Sequence, residues 1–150
     1  VMVVDIGGGT TEMAVISLGG VVTNKSIRVA GDEMDETIIH FMRLKYNVLV
    51  GERTAEEVKI ALANAHQKAF ESPKFMVVRG RDIESGLPKS IKITSDEVRE
   101  ALMPVLRQIT AAVAELIEVT PPELVSDILE RGVAMCGGGS MIVGVDKLIQ

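Results

Sequence analysis

Apolar positions fall first into a strand rhythm, then into helical stripes, and return to strands towards the end of the chain. Residues 1–6 form an apolar run, 11–17 are rich in β-branched side chains, and 21–29 follow Gly19-Gly20. Residues 1–30 therefore predict a three-stranded antiparallel meander whose first turn is Gly7-Gly8-Gly9. The first strand is expected to be central, with both faces buried. From Asp32 the period becomes helical, with Met34, Ile38, Phe41, Met42 and Tyr46 on one stripe. A second helix is expected to start at Thr54, capping through Glu57, and to bury Val58, Leu62 and Ala65.

Residues 75–79 and 91–94 read as strands joined through Ser85-Gly86-Leu87-Pro88. Thr94 and Glu97 form a capping box ahead of a long helix carrying Val98, Leu102, Val105, Ile109, Val113 and Leu116. Pro104 lies inside it and predicts a kink or two helical pieces. Thr120-Pro121-Pro122-Glu123 ends that helix and opens another, residues 133–136 form a strand, and a last helix begins at Ser140 or Met141 after Gly137-Gly138-Gly139. The fold class is α/β. Residues 1–34 with 123–150 are expected to make one subdomain and 35–122 a smaller α+β insertion, which places both glycine triplets in the same subdomain.

The chain has 150 residues, one domain's length, and 47% of them are apolar, so it can bury a core without staples. Its net charge of −5 argues against nucleic acid or anionic lipid as the main partner of this surface. The single thiol, Cys136, allows no internal disulfide and suits a reducing cytoplasm. His40 and His66 have no second ligand at metal spacing and read as ordinary surface histidines. The apolar opening, Val1-Met2-Val3-Val4, reads as an internal piece of a longer chain.

Asp5-Ile6-Gly7-Gly8-Gly9-Thr10-Thr11-Glu12 sets a carboxylate at a strand end, then a turn without side chains, then two hydroxyls. Consecutive glycines let backbone N–H groups converge on phosphate oxygens, and Asp5 could hold a water of Mg²⁺ beside them. The segment is neither a Walker loop nor a dinucleotide fingerprint: no Gly-Lys-Ser/Thr ending is present, and a strand follows it. The same residues also suit a glycine-rich hairpin in which Asp5 caps the turn. Met135-Cys136-Gly137-Gly138-Gly139-Ser140-Met141 would let a flat ring or a phosphate lie against backbone, or would simply turn a strand into a helix.

Taken in this order, with Val29-Ala30-Gly31-Asp32-Glu33-Met34-Asp35 between them, the two triplets resemble the actin, Hsp70 and sugar-kinase superfamily. Ile16-Ser17-Leu18-Gly19-Gly20, Gly51-Glu52-Arg53-Thr54-Ala55-Glu56-Glu57, Val78-Arg79-Gly80-Arg81-Asp82, Gly86-Leu87-Pro88-Lys89 and Thr120-Pro121-Pro122-Glu123-Leu124 look specifically like the MreB family of bacterial actin homologues. The resemblance covers essentially the whole chain and implies the second half of an actin-like (ribonuclease H-like) ATPase, subdomains IIA and IIB.

By that resemblance, ATP or ADP with Mg²⁺ is the cofactor. Asp5 would lie near Mg²⁺ and hold it through water, and Gly7, Gly8, Gly9 and Thr10 would cradle phosphate. Thr10 or Thr11, with Glu12 nearby, would help place the attacking water. Gly31 would border the ribose, Glu56 and Lys59 the adenosine side, and Gly137, Gly138, Gly139, Ser140 and Met141 the adenosine loop. The implied function is a cytoskeletal ATPase that polymerises at the inner face of the bacterial cytoplasmic membrane and directs cell shape and peptidoglycan synthesis. Implied partners are further copies of itself, the cytoplasmic part of a RodZ-like protein, other elongation-machinery proteins and, through the half not present here, the membrane. The first phosphate loop of the family is not found in this sequence, so the chain by itself is expected not to hydrolyse ATP. The alternatives are the nucleotide-binding half of an Hsp70-like chaperone or of a sugar kinase, or a binding module that has lost nucleotide.

Overall fold

The computed structural model describes all of residues 1–150. The meander forms as expected: β1 (Met2–Ile6), β2 (Thr11–Ser17) and β3 (Gly20–Ile27) are consecutive antiparallel neighbours. Its tight turn is Leu18-Gly19, both at positive φ (50° and 78°), the two-residue geometry whose twist suits a hairpin. Then come α1 (Gly31–Tyr46), β4 (Val48–Leu49), α2 (Glu52–Leu62), β5 (Phe75–Asp82), β6 (Pro88–Thr94), α3 (Ser95–Glu118), α4 (Pro122–Arg131), β7 (Val133–Cys136), a 3-10 turn (Gly138–Met141) and α5 (Val145–Ile149). The first sheet has the order β3-β2-β1-β7, with β7 parallel to β1; the second is antiparallel, in the order β4-β5-β6.

β1 is central, but only one of its faces is buried. Met2, Val4 and Ile6 share the buried face with Thr11, Met13 and Val15 of β2. Val3 and Ala14 are half-buried on the other face, and Asp5 and Glu12 are exposed there. The stripe Met34, Ile38 and Met42 of α1 and the long stripe of α3 fill the space between the sheets as one continuous core. α1 runs through the subdomain boundary expected at residue 34. α3 reaches both sheets: its Glu115 pairs with Lys25 of β3, while Glu97 in its first turn holds the end of α1.

Four further expectations change. α3 is one uninterrupted helix of 24 residues despite Pro104, because Leu102, Val105, Leu106 and Ile109 around the proline are all buried and hold its course. α2 starts at Glu52 with Gly51 as N-cap, so Thr54 lies within the helix and caps nothing. β4, unexpected from its two residues, pairs with Asp82 and Arg81, and Gly80 has no side chain because Leu49 O and the Val48 side chain occupy that space. After Gly137 the chain makes only a 3-10 turn, and the last helix starts at Val145.

The Thr94–Glu97 capping box is present in both directions. Glu97 also accepts hydrogen bonds from Tyr46 Oη (2.6 Å) and Lys45 Nζ (2.9 Å). Burial works against the Glu97 charge, but the bonds from Tyr46, Lys45 and the Thr94 amide outweigh it and hold the carboxyl below its ordinary value. Burial and the Glu97 carboxylate together push the Tyr46 hydroxyl up to about 12. Glu97 thus contributes stability above its unfolded value of 4.5 and loses it as pH falls further; Tyr46 contributes below 10.0 and loses it as pH climbs towards 12. Glu97→Gln is expected to cost about 1–2 kcal/mol at neutral pH. In urea melts, that difference should shrink at acidic pH; a constant gap between pH 3 and 7 would contradict the assignment.

Candidate functional site

β1 and β7 run parallel with Asp5 opposite Cys136, so both strands deliver their glycine triplets to the same edge of the sheet. The first triplet is fixed by α1. Gly31 N–H donates to Gly7 O (3.0 Å) and Asp32 N–H to Gly8 O (2.7 Å), so the free amides of the helix's first turn hold the loop. Gly7 N–H closes the turn on Thr10 O (3.0 Å), while the N–H groups of Gly8, Gly9 and Thr10 make no hydrogen bond within the chain. Three consecutive unpaired amides in a tight turn form a nest for an anion.

The close packing explains the glycines. A Cβ at Gly31 would stand 3.3 Å from both Gly7 O and Lys59 Nζ. Gly137, at φ +82°, has no room for one because Asp5 Oδ1 and Ile6 O fill the space, and at Gly139 the Ile6 side chain does so. Gly138 alone of the second triplet faces open space. The second loop is thus seated directly on the end of β1, with the Asp5 carboxylate wedged beside it.

Between the loops and α2 lies a cleft of about 520 Å³, a size usual for small-molecule sites. Gly7, Gly8 and Gly31 form one end. Glu56, Lys59 and Ile60 of α2 make one wall, and Gly138, Gly139, Met141, Ile142 and Val143 the other. Lys59 is held by an ion pair to Asp35 (2.9 Å) and a bond to Gly31 O (3.2 Å), which sets a fixed positive charge beside the glycine end. Phe70 and Lys74, on the irregular segment after α2, close the rest. A phosphate-bearing ligand fits this donor set: free amides and an ammonium at one end, apolar walls at the other.

Of the expected site residues, Gly7, Gly8, Gly31, Glu56, Lys59, Gly138, Gly139 and Met141 line the cleft. Asp5, Gly9, Thr10 and Gly137 lie outside the lining, Gly9 and Gly137 as the chain neighbours of lining glycines. Three depart from their expected roles. Thr11 is fully buried and its hydroxyl donates to Val29 O (2.6 Å), so it fastens β2 and cannot orient a water. Thr10 is the hydroxyl left on the loop. Glu12 pairs with Asp5 across the strands and lies on the exposed sheet face, outside the cleft lining. The Ser140 hydroxyl turns back to Gly137 O (2.6 Å) and also lies outside the lining. No group of three or more His, Cys, Asp or Glu side chains gathers anywhere in the chain, so Asp5 is not part of a ready-made metal cluster.

Sequence reasoning missed Asp35, Ile60, Phe70, Lys74, Ile142 and Val143. Asp35 sits one helical turn after Gly31, a spacing that could have suggested a partner for a charge near the loop. Phe70 and Lys74 lie in a stretch without periodicity and carried no signal. No helix is long and apolar enough to cross a membrane.

Comparison with known proteins gives one family. The MreB/Mbl protein family model matches residues 1–150. The cell shape-determining protein Mbl of Bacillus subtilis (strain 168) is 47% identical over 148 residues, covering 99% of this chain and 44% of that protein. The cell shape-determining protein MreB of Escherichia coli (strain K12) is 46% identical over 148 residues, covering 99% and 42%. The chain therefore spans less than half the length of these curated relatives. Among solved structures, MreB5 of Spiroplasma citri bound to AMPPNP superposes with a TM-score of 0.94 at 44% identity, over 98% of this chain and 44% of that one. A MamK double helical filament, at 20% identity and a TM-score of 0.79, shares the actin-like fold.

Proposed function

The chain belongs to the MreB/Mbl family, and from that premise we propose that it is the nucleotide-binding half, subdomains IIA and IIB, of a bacterial actin-like cytoskeletal ATPase. The observation that carries the reading is the cleft itself: two glycine loops set side by side by β1 and β7, with Lys59 of α2 held beside Gly31. Residues 1–34 with 123–150 supply the loops and residues 35–122 the α2 wall. The relative MreB5 was solved with AMPPNP and with ADP, which supports an adenine nucleotide here.

When bound, Mg-ATP supplies the phosphoryl bond to be cleaved and the charge that draws the halves of the protein together. The amides of Gly8, Gly9 and Thr10 would bind the phosphate oxygens, and Lys59, kept by Asp35 beside Gly31, would border the ribose and adenosine side. Asp5 would hold Mg²⁺ through water, and the Thr10 hydroxyl would orient the attacking water. Phosphoryl transfer rests mostly on positioning and charge stabilisation, so these groups act together with those of the remaining half of the protein. This chain alone turns ATP over negligibly. Loss of the terminal phosphate removes the contacts that favour the closed, filament-forming state, which makes ATP a switch for assembly.

Filaments of the complete protein lie at the inner face of the cytoplasmic membrane and guide cell shape and peptidoglycan synthesis, with a RodZ-like cytoplasmic domain and other elongation proteins as partners. Sedimentation of the complete protein with Mg-ATP, Mg-ADP or no nucleotide, with phosphate release followed in the same tubes, tests the reading. Pelleting should require ATP. Turnover without pelleting would overturn the filament reading and leave a nucleotide-hydrolysing member of the family that does not assemble.

A further inference from the structure

The irregular segment after α2 borders two cavities. Ala63, Phe70 and Lys74 line the nucleotide cleft, whereas His66 and Lys68 line a separate hollow of about 670 Å³ whose other wall is the Arg99–Arg107 stretch of α3. In a chain of net charge −5, this hollow gathers three cations, Lys68, Arg99 and Arg107, against one carboxylate, Glu100. Neither Lys68 nor Arg107 has a carboxylate partner. Arg99 is half-buried and set in place through one nitrogen: its Nη1 donates to Asp96 Oδ1 (2.8 Å) and to Asn64 Oδ1 (3.4 Å). Asn64, fully buried, is itself fixed by donating to Leu62 O (3.0 Å) and Ser95 O (2.9 Å). The Nε and Nη2 groups of Arg99 make no hydrogen bond within the chain, and together they form the fork that matches two oxygens of a phosphate or carboxylate. Lys68 N–H donates to His66 Nδ1 (3.1 Å), which leaves His66 Nε2 to carry the ring proton as a further donor.

We propose that this hollow is an effector site for a compact anion, the phosphate or carboxylate group of a small ligand, and that the bound anion changes nucleotide affinity through the shared segment. Arg99 supplies a preorganised fork, and Lys68 and Arg107 supply charge from the two opposing walls. Three positive groups around one hollow repel each other, and an anion between them relieves that repulsion. The coupling follows from the path of the chain. The segment is tied at its start by Ala65 N–H to Val143 O (2.8 Å) and at its finish by Lys74 N–H to Ser95 Oγ (3.0 Å). Between those ties Lys68 stands only two residues before Phe70, so drawing Lys68 towards an anion repositions a wall of the cleft. By linkage, nucleotide must then change anion affinity by the same factor. The coupling rests on the nucleotide reading above; the anion site does not.

The test uses the complete protein, with inorganic phosphate and succinate as probes and sodium chloride at matched ionic strength as the reference. At least one probe should raise the melting midpoint by about 2 °C beyond chloride, with and without Mg-ADP, and should shift ADP affinity about fivefold. The stronger probe tells which group the ligand carries. Both effects should vanish in the double variant Lys68→Ala/Arg107→Ala, whose two positions are exposed, and persist in Arg79→Ala, an exposed cation outside the hollow. Arg99→Lys keeps the charge and loses the fork, and should weaken the anion about tenfold. A phosphate effect undiminished in the double variant would place the ion in the nucleotide cleft and overturn the proposal. No effect beyond chloride, or an ADP affinity indifferent to both probes, would also overturn it. A wild-type protein that binds no ADP, yet gains stability from the anion through Lys68 and Arg107, would overturn the nucleotide reading and the coupling while upholding the anion site.

Discussion

Gly137→Ala is expected to destabilise the protein by about 3 kcal/mol, the sum of a strained positive φ and an overpacked contact. At φ +82° a methyl group is strained wherever it points, and here it points into Asp5 Oδ1 and Ile6 O at the end of the central strand. The Ile6 carbonyl is backbone and cannot yield cheaply; the exposed Asp5 carboxylate can turn away, so the clash falls on the strand itself. In thermal unfolding the midpoint should fall by about 6–12 °C. Gly138→Val provides the contrast. No atom lies within reach of its Cβ, so its melt should stay within about 2 °C of wild type, the range of an ordinary surface change. Its side chain enters the cleft, so nucleotide affinity should drop at least tenfold, the effect of about 1.4 kcal/mol of steric exclusion. Equal melts for Gly137→Ala and Gly138→Val, or unchanged affinity for Gly138→Val, would contradict this account of the second triplet.

Asp5→Ala is expected to leave the melt nearly unchanged and to lower phosphate release by the complete protein about 100-fold, the usual cost of losing one preorganised charge at a phosphoryl centre. The carboxylate sits on the exposed sheet face and makes no hydrogen bond within the chain, so removing it breaks nothing in the fold. Its proposed role is to hold Mg²⁺ against the phosphates. Pelleting in Mg-ATP should fall in parallel, because the switch would no longer register the terminal phosphate. Wild-type turnover together with wild-type pelleting would show that Asp5 has no metal role.

The sheets and long helices were legible because their patterns are strong. β2 and β7 have the ranges that β-branched and alternating residues indicated, and α3 opens on the capping box visible at Thr94 and Glu97. The errors fall where pattern is weak. β4 is two residues long, and α2 begins on a backbone N-cap, Gly51, that side-chain capping rules overlook. Both glycine triplets were legible as candidates because glycine marks close backbone approach, but which glycine faces the ligand was not. Only the positions of Asp5 and Ile6 show that Gly137 and Gly139 have no room for a side chain while Gly138 does. The role of Thr11 could have been read earlier: it is in phase with Met13 and Val15, the buried face of β2. Phe70 and Lys74 could not, since nothing local marks an irregular segment as part of a wall.

The parallel pairing of β1 with β7 also sets a timetable for synthesis. On the edge away from β2, Met2 finds its neighbour only in Val133, so β1 waits on that side until residues 133–136 have been made. While the chain is emerging from a ribosome, the meander can zip on one side, but the other edge of β1 stays open, and long-range closures of this kind are slow. Until then that edge can pair with other chains. A nascent chain stalled before residue 133 would therefore be the species most in need of a chaperone, and its release would complete the sheet and the cleft in a single step.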